Sequence, residues 1–425
     1  MTKTRPHVVI VGAGFGGLAA AKRLANQPVE VTLVDRRNHH LFQPLLYQVA
    51  TAALSPADIA APIRSILSGA KNIRVLLDEV TGIEAGKRSV ALVRGGMLQY
   101  DWLILAAGAR HSYFGNDSWA QRAPGLKTID DAVAIRRRIL LALEHAETEA
   151  DSQLRQALLT FIVIGGGPTG VEMAGAIAEL TRHTVSRDFR SITPQCSRVI
   201  LIEAGPRILP SFPLALAANA ERALQQLGVE VRTGMAISDV GDQIATLGAE
   251  QIRASTIVWA AGVQASAAAK WLCAEHDKFG RVFVEADLRV PGHDEIFAIG
   301  DTANAAGPSG RPLPGVAPVA KQQGIYVANR ILGRARRAFA YYDFGNLATI
   351  GRKRAVMDWN GWHLSGFLAW LIWSCAHIMF LIGYRSRFAV GLNWLWNYLT
   401  FQRSARLITG DSDCTFPKPA AHNPA

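Results

Sequence analysis

Residues 7–35 read HVVIVGAGFGGLAAAKRLANQPVEVTLVD. A short β-branched run comes first, then glycines at 12, 14 and 17, then an Ala/Leu-rich stretch. A second apolar run closes on Asp35. The order predicts strand (7–11), tight turn, helix (16–26) and strand (29–35), with GxGxxG at the turn. Each glycine has a separate task. Gly12 permits the turn, Gly14 lets a pyrophosphate approach the backbone, and Gly17 lets helix pack against strand. Ala13 and Gly16 complete the loop, and the helix start directs its free amides at the phosphate charge. Asp35, at the end of the second strand, is placed to accept hydrogen bonds from ribose hydroxyls.

The pattern returns about 150 residues later, in the size range of one domain. A strand is expected at 161–164, followed by GGGPTG with Gly165, Gly167 and Gly170. A helix (169–180) and a strand (198–203) ending on Glu203 complete it. An internal repeat of this kind implies two doubly wound nucleotide-binding units. An acid at Glu203 repels a 2′-phosphate, so NADH is expected over NADPH. Two fingerprints call for two dinucleotides, most economically FAD and NADH.

Further segments agree. LILAAGAR (103–110) and IVWAAGVQAS (257–266) are each a strand followed by Ala-Ala-Gly. Ala107, Gly108, Ala261 and Gly262 thereby allow close backbone passage at a crossover. EIFAIGDTA (295–303) ends a strand on Gly300-Asp301, where an acid can bind the ribityl and pyrophosphate region of a flavin. The expected fold is α/β, with two Rossmann-like dinucleotide-binding domains and a C-terminal membrane-associating segment. FAD is assigned to 1–125 with 285–335, NADH to 126–284 and membrane anchoring to 336–425. Residues 130–156 and 319–332 read as helix, 181–197 as helix extension plus loop, and 417–425 as a frayed tail.

Composition narrows the function. The chain has 425 residues, 49% of them hydrophobic, and a net charge of +11. That much apolar content excludes disorder. Four scattered cysteines, Cys196, Cys273, Cys375 and Cys414, form no CxxC and exclude a disulfide framework or a thiolate metal cluster. Residues 330–425 hold 12 Lys/Arg against 4 Asp/Glu, and six of the ten tryptophans: Trp359, Trp362, Trp370, Trp373, Trp394 and Trp396. Basic charge with Trp is what a membrane interface selects. Residues 366–383 form an uncharged run of 18, at the lower limit for a spanning helix. Arg385 and Arg387 follow at once, so a monotopic anchor is preferred. No helix bundle is present for proton pumping. No nucleic-acid motif accompanies the charge. The pair His39-His40 lacks ligand partners, so no metal is expected. His377, inside the apolar run, reads as a hydrogen-bonded interior residue. No signal peptide precedes the first strand, which puts the expected active site in the cytoplasm.

These motifs together resemble the two-dinucleotide-binding-domain flavoproteins. Three runs narrow the likeness: 35–64 (DRRNHHLFQPLLYQVATAALSPADIAAPIR), 165–180 (GGGPTGVEMAGAIAEL) and the late GNLATIGRKRAV with SGFLAWLIW. They are similar to bacterial type II NADH dehydrogenase, a non-pumping, single-subunit NADH:quinone oxidoreductase. The resemblance implies the FAD diphosphate over residues 12–17, its adenosine ribose at Asp35 and Arg36, and its adenine at the Val80 backbone. Gly108 and Asp301 would complete the cradle. Residues 317–323 (APVAKQQ) match the segment under the isoalloxazine, bringing Ala320 and Lys321 to the flavin and Gln322 and Gln323 to the quinone site. Many members have Ala-Gln-x-x-x-Gln there; here Pro318 replaces the first Gln and Gln322 keeps the second, which leaves Gln322 as the better quinone candidate. Lys353 matches a late region near the flavin. Glu172 matches a Glu assigned to proton or quinone handling, with a helix-dipole partner as the plainer reading. A homodimer on the cytoplasmic face of the bacterial inner membrane is further implied. Two other readings keep the same fingerprints: a soluble NADH-dependent reductase for a ferredoxin-like protein, and a non-catalytic FAD/NADH redox sensor.

Overall fold

In the computed structural model, residues 5–308, 310–400 and 405–409 are described. The chain divides into two compact units, each assembled from three separate stretches.

The first unit comprises 1–41, 60–112 and 263–344. Its centre is a five-stranded sheet in the order Ile296–Ala298, Trp102–Leu105, His7–Val11, Glu30–Asp35, Ile73–Leu77. Every pairing is parallel. Parallel strands are covered on both faces, so they read as continuous apolar runs. Val8, Val9 and Ile10 are accordingly fully buried. The helix Phe15–Leu24 packs on Ala317–Ile331. That contact is close because Gly324 faces Gly16: a Cβ on Gly324 would lie 2.1 Å from the Gly16 carbonyl oxygen. A small antiparallel sheet, Val80–Glu84, Ser89–Leu92 and Met97–Gln99, completes the crossover.

The second unit comprises 42–59, 113–262 and 345–425. Its parallel sheet runs Thr256–Trp259, Thr160–Ile164, Arg198–Glu203, Val229–Thr233. These four strands repeat the order of four of the first unit's five, all but Ile296–Ala298, and an antiparallel three-stranded crossover (Asp239–Gly241, Ile244–Leu247, Glu250–Arg253) repeats as well. The helix Pro168–Asp188 follows the glycine loop, and the segment expected as helix extension plus loop continues it for eight residues past 180 before the chain leaves it. The helix Ile129–Thr148 starts on a capping box, in which Thr128 accepts from the Asp131 amide and Asp131 accepts from the Thr128 amide. Such a cap satisfies two amides that a helix start leaves over.

An antiparallel meander, Asn346–Gly351, Arg354–Trp359 and Trp362–Gly366, joins the second unit. Two helices follow, Phe367–Phe380 and Tyr384–Thr400. The uncharged run at 366–383 thus forms a 14-residue helix. At 1.5 Å per residue that is about 21 Å, short of a bilayer core of about 30 Å. Among the described residues no helix is long and apolar enough to cross a membrane. The tail at 417–425 lies outside the described residues.

Candidate functional site

The two glycine loops are near copies at the level of atoms. Gly12 donates its N–H to the Val34 carbonyl, and Gly165 to that of Ile202. A Cβ on Gly12 would lie 2.3 Å from the Ala106 carbonyl oxygen, and one on Gly165 2.7 Å from that of Ala260. Both also have positive φ, 99° and 112°. Gly17 and Gly170 are closer still: a Cβ on either would lie 1.8 Å from the carbonyl oxygen of Gly12 or Gly165. These four positions exclude any side chain. The middle glycines differ. A Cβ on Gly14 or Gly167 would have no protein atom within 4 Å. Packing does not require glycine there, whereas a diphosphate lying on the loop would.

The strand-end acids hold the loops. Asp35 accepts from the amides of Ala13 at 2.6 Å and Arg37 at 2.7 Å. Glu203 accepts from those of Gly166 at 2.5 Å and Gly205 at 2.7 Å. Each oxygen keeps a lone pair for a ribose hydroxyl. Arg36 is exposed beside Asp35.

The remaining first-unit candidates cluster about the same loop. Ala320 meets Gly16 through its carbonyl and Gly300 through its methyl group, at 3.1 Å from a notional Cβ in both cases. Gly300 donates to the Gln323 side chain at 2.6 Å, and Gln323 is buried. The Gly108 amide donates to Thr302 at 3.1 Å, and Asp301 lies beside Gly315. Val80 is buried at the start of its strand, and Lys321 is exposed on the helix Ala317–Ile331. These residues fit a flavin dinucleotide: open middle glycine, ribose acid, and a buried ring nitrogen of His40, Nε2, with no protein partner. Gln322 is committed elsewhere, with its amide paired to the Tyr342 backbone in both directions.

In the second unit, Ala261 and Gly262 follow the crossover strand. Gly262 has φ 88°, and the Phe114 ring lies 2.6 Å from where its Cβ would be. Glu172 is the fifth residue of the helix Pro168–Asp188, just past the first turn in which the sequence reading put it. It lines a cavity of about 140 Å³ with Tyr47, Gln48, Glu179, Trp373, Trp394 and Tyr398. Burial pushes its carboxyl up to about 8, and a hydrogen bond from the Thr349 backbone opposes this only in part. At neutral pH the group is a protonated acid, able to donate. Lys353 (φ 63°) places its ammonium 5.1 Å over the Tyr398 ring.

The cavity wall is an aromatic stack that the sequence did not announce. Trp373 lies between Trp394, at 5.3 Å, and His377, at 4.2 Å. Trp394 donates to Gln48 at 2.8 Å, and Gln48 donates to the Tyr47 hydroxyl at 2.9 Å. His377 is hydrogen-bonded to the Trp373 carbonyl at 2.7 Å, and burial pushes it down to about 4. Three of the six late tryptophans thus serve the interior: Trp373 and Trp394 here, and Trp370 stacked on Tyr398. Trp359, Trp362 and Trp396 are the exposed ones. Periodicity gives no sign of this division, because an indole suits an interface and a core equally.

Two such loops, each with its acid, define an oxidoreductase built on two dinucleotides. The pyridine nucleotide-disulphide oxidoreductase model matches residues 6–324, and the NDH2 C-terminal domain model matches 344–403. The type II NADH:quinone oxidoreductase Ndh of Mycobacterium tuberculosis is 44% identical over 95% of this chain and 90% of its own. NdhA of the same organism, also a type II NADH:quinone oxidoreductase, is 43% identical over the same shares. The structure of NDH2 from Plasmodium falciparum in complex with NADH superposes with a TM-score of 0.87. It covers 96% of this chain and all of that one at 21% identity, a likeness of fold. The chain belongs to the type II NADH:quinone oxidoreductase family. It is an NADH dehydrogenase with FAD and NADH as its cofactors.

Proposed function

We propose that the chain passes two electrons from NADH to a membrane quinone without pumping protons, and that Glu172 delivers a proton in the quinone half-reaction. The observation that carries this is the Glu172 cavity: a protonated acid in an aromatic-walled pocket. A quinone ring stacks on aromatic faces, and its reduction takes up protons at its oxygens. A positioned acid with a pKa near the working pH is suited to supply one.

The first loop (Gly12, Ala13, Gly14, Gly16 and Gly17, with Asp35) would hold FAD, which supplies the two-electron relay when bound. Gly165, Gly167, Gly170, Ala261 and Gly262 would hold NADH. Glu203 would take its ribose hydroxyls and repel a 2′-phosphate. Gln323 supports the turn at Gly300. Gln322 and Lys353 bear on the quinone in this reading by holding neighbouring segments, since the Gln322 amide is already engaged.

The two last helices expose Leu368, Met379, Phe388 and Leu399, each more than 60% accessible. An apolar face of this size marks a membrane or protein contact. Arg385 and Arg387, beside it, suit anionic headgroups. A monotopic seat on the cytoplasmic membrane surface, reached as a homodimer, is the arrangement proposed. Loss of vesicle binding on deleting residues 360–425, with dye reduction retained, supports it over a soluble reductase.

The decisive experiment is stopped-flow absorbance in the flavin band. NADH should bleach the protein, and a short-chain quinone should restore the colour rapidly. Bleaching without reoxidation by quinone overturns the reading and leaves a reductase for another acceptor, or a sensor.

A further inference from the structure

His40 takes no part in the electron or proton transfers above, yet it is one of the few titratable groups buried in the first unit, 3% exposed. Its Nδ1 lies 2.9 Å from the carbonyl oxygen of Ala13, the second residue of the glycine loop. A carbonyl can only accept, so Nδ1 carries the proton. The ring stands edge-on to Phe15 at 5.1 Å. It extends from the strand His39–Leu41, where His40 pairs with Ala61.

The second unit shows what this contact is for. There the second loop residue is Gly166, and its carbonyl accepts from the backbone N–H of Leu209 at 2.7 Å. In both loops the N–H of that residue goes to the strand-end acid, Asp35 or Glu203. Both peptide groups flanking the second residue are therefore held in each unit. The second unit holds the carbonyl with a backbone amide; the first holds it with a side chain.

Holding that carbonyl sets a direction. The peptide joining Ala13 to Gly14 is planar and trans, so the Ala13 C=O and the Gly14 N–H point opposite ways. With the C=O turned to His40, the Gly14 N–H is turned away from it. Gly14 caps the helix Phe15–Leu24, and its N–H belongs to the amides that a helix start leaves without an intrahelical partner. Space beside Gly14 is clear of protein atoms.

We propose that His40 is a positioning residue of the FAD loop: its Nδ1–H grips the Ala13 carbonyl and thereby aims the Gly14 N–H at the cofactor diphosphate. This rests on the reading that residues 12–17 hold FAD. His40 touches the loop, not the reacting atoms. The same device in the second unit has no side chain to lose, so only the FAD loop is sensitive to substitution here.

Full-length protein tests it through three variants. His40→Asn keeps an amide donor where Nδ1 stands; His40→Leu removes it; Asp35→Ala removes the loop acid. The readouts are FAD affinity, by fluorescence titration of the apoprotein, together with NADH affinity and melting temperature. His40→Leu should weaken FAD on the order of tenfold, as loss of one good hydrogen bond implies, with NADH affinity unchanged. His40→Asn should stay within about threefold of the parent. Parental FAD affinity in His40→Leu, or equal losses in Leu and Asn, overturns the proposal. Parental affinity in Asp35→Ala as well would instead remove the reading beneath it. If His40→Leu does not fold, His40→Gln replaces it: its donor sits at the wrong ring position, so the same loss is expected, and parental affinity overturns the proposal equally.

Discussion

The side-chain amide of Gln322 donates to the Tyr342 carbonyl at 2.9 Å and accepts from the Tyr342 amide at 3.0 Å. The helix Ala317–Ile331 is thereby fastened to residue 342 by a pair of bonds that uses both ends of one amide. Pro318 occupies the first turn of that helix, a position at which a missing N–H costs nothing.

Gln322→Leu should therefore act on stability before it acts on chemistry. Two partly exposed hydrogen bonds are worth about 1–2 kcal/mol together. A drop of a few degrees in melting temperature of the first unit is expected, by roughly 2–4 °C per kcal/mol in a unit of its size. NADH-driven bleaching of the flavin should stay at the parental rate. Scanning fluorimetry and stopped flow check this. A normal melting temperature with a collapsed quinone rate would assign Gln322 to the quinone directly.

Glu172→Gln keeps the shape of the side chain and removes its proton. Quinone reduction should fall on the order of a hundredfold, the lower range for general acid catalysis, while NADH bleaching persists. In the parent, the quinone step should be level on the acid side and decline as pH rises through about 8. Stability carries the same signature. A carboxyl with a raised folded pKa favours the fold fully below its unfolded value and loses that contribution as pH climbs to the folded value. The parental melting temperature should thus sag between about pH 4.5 and 8, and Glu172→Gln should flatten the profile. Parallel profiles for the two proteins would count against a protonated Glu172.

Glu203→Gln tests cofactor choice. Its two oxygens accept from the Gly166 and Gly205 amides. A Gln must turn its NH₂ toward one of these donors. NADH kcat/KM should fall about tenfold, as expected for a lost charge-assisted bond. The preference for NADH over NADPH should narrow, since the repelling charge is gone. Comparing the two kcat/KM values decides it; an unchanged ratio would place the discrimination elsewhere.

Much of this was legible in the sequence because backbone geometry dictates the residues. Gly12, Gly17, Gly165 and Gly170 are sites where a Cβ collides, and Asp35 and Glu203 end strands whose bounds the apolar runs already marked. What stayed hidden came from long-range packing. Nothing in PLLYQVA shows that Gln48 bonds Trp394, 346 residues away. Nothing in the late Trp-rich stretch separates buried Trp373 from exposed Trp396. The grouping of 42–59 and 345–425 with the second nucleotide unit is likewise a tertiary fact without a local signal. His40 stood next to the fingerprint, but a histidine declares its role only when its partner is seen to be a carbonyl.

The membrane reading turns on a few exposed side chains. Leu368 and Phe388 are 61% and 71% accessible on the two last helices. Leu368→Glu with Phe388→Glu should leave the fold and dye reduction unchanged, because neither side chain is buried. Sedimentation with anionic vesicles should drop, as should turnover with a long-chain quinone presented in them. Turnover with a short-chain quinone in solution should not. Undiminished vesicle binding would move the lipid contact away from this face.

Gly14 and Gly17 stand three residues apart in one loop and should fail in opposite ways. A methyl group at Gly17 meets the Gly12 carbonyl oxygen at 1.8 Å, so helix and strand must separate. Gly17→Ala should lower the melting temperature of the apoprotein sharply or prevent folding, as overpacking against backbone does. At Gly14 the φ of −67° is ordinary for any residue, and no protein atom lies within 4 Å of a Cβ. Gly14→Ala should melt like the parent as apoprotein. Its loss should appear only when FAD is added, because the methyl group stands where the diphosphate must approach. Titrating FAD into both apoproteins separates the two effects. If Gly14→Ala bound FAD as tightly as the parent, the diphosphate would have to lie elsewhere than over this loop.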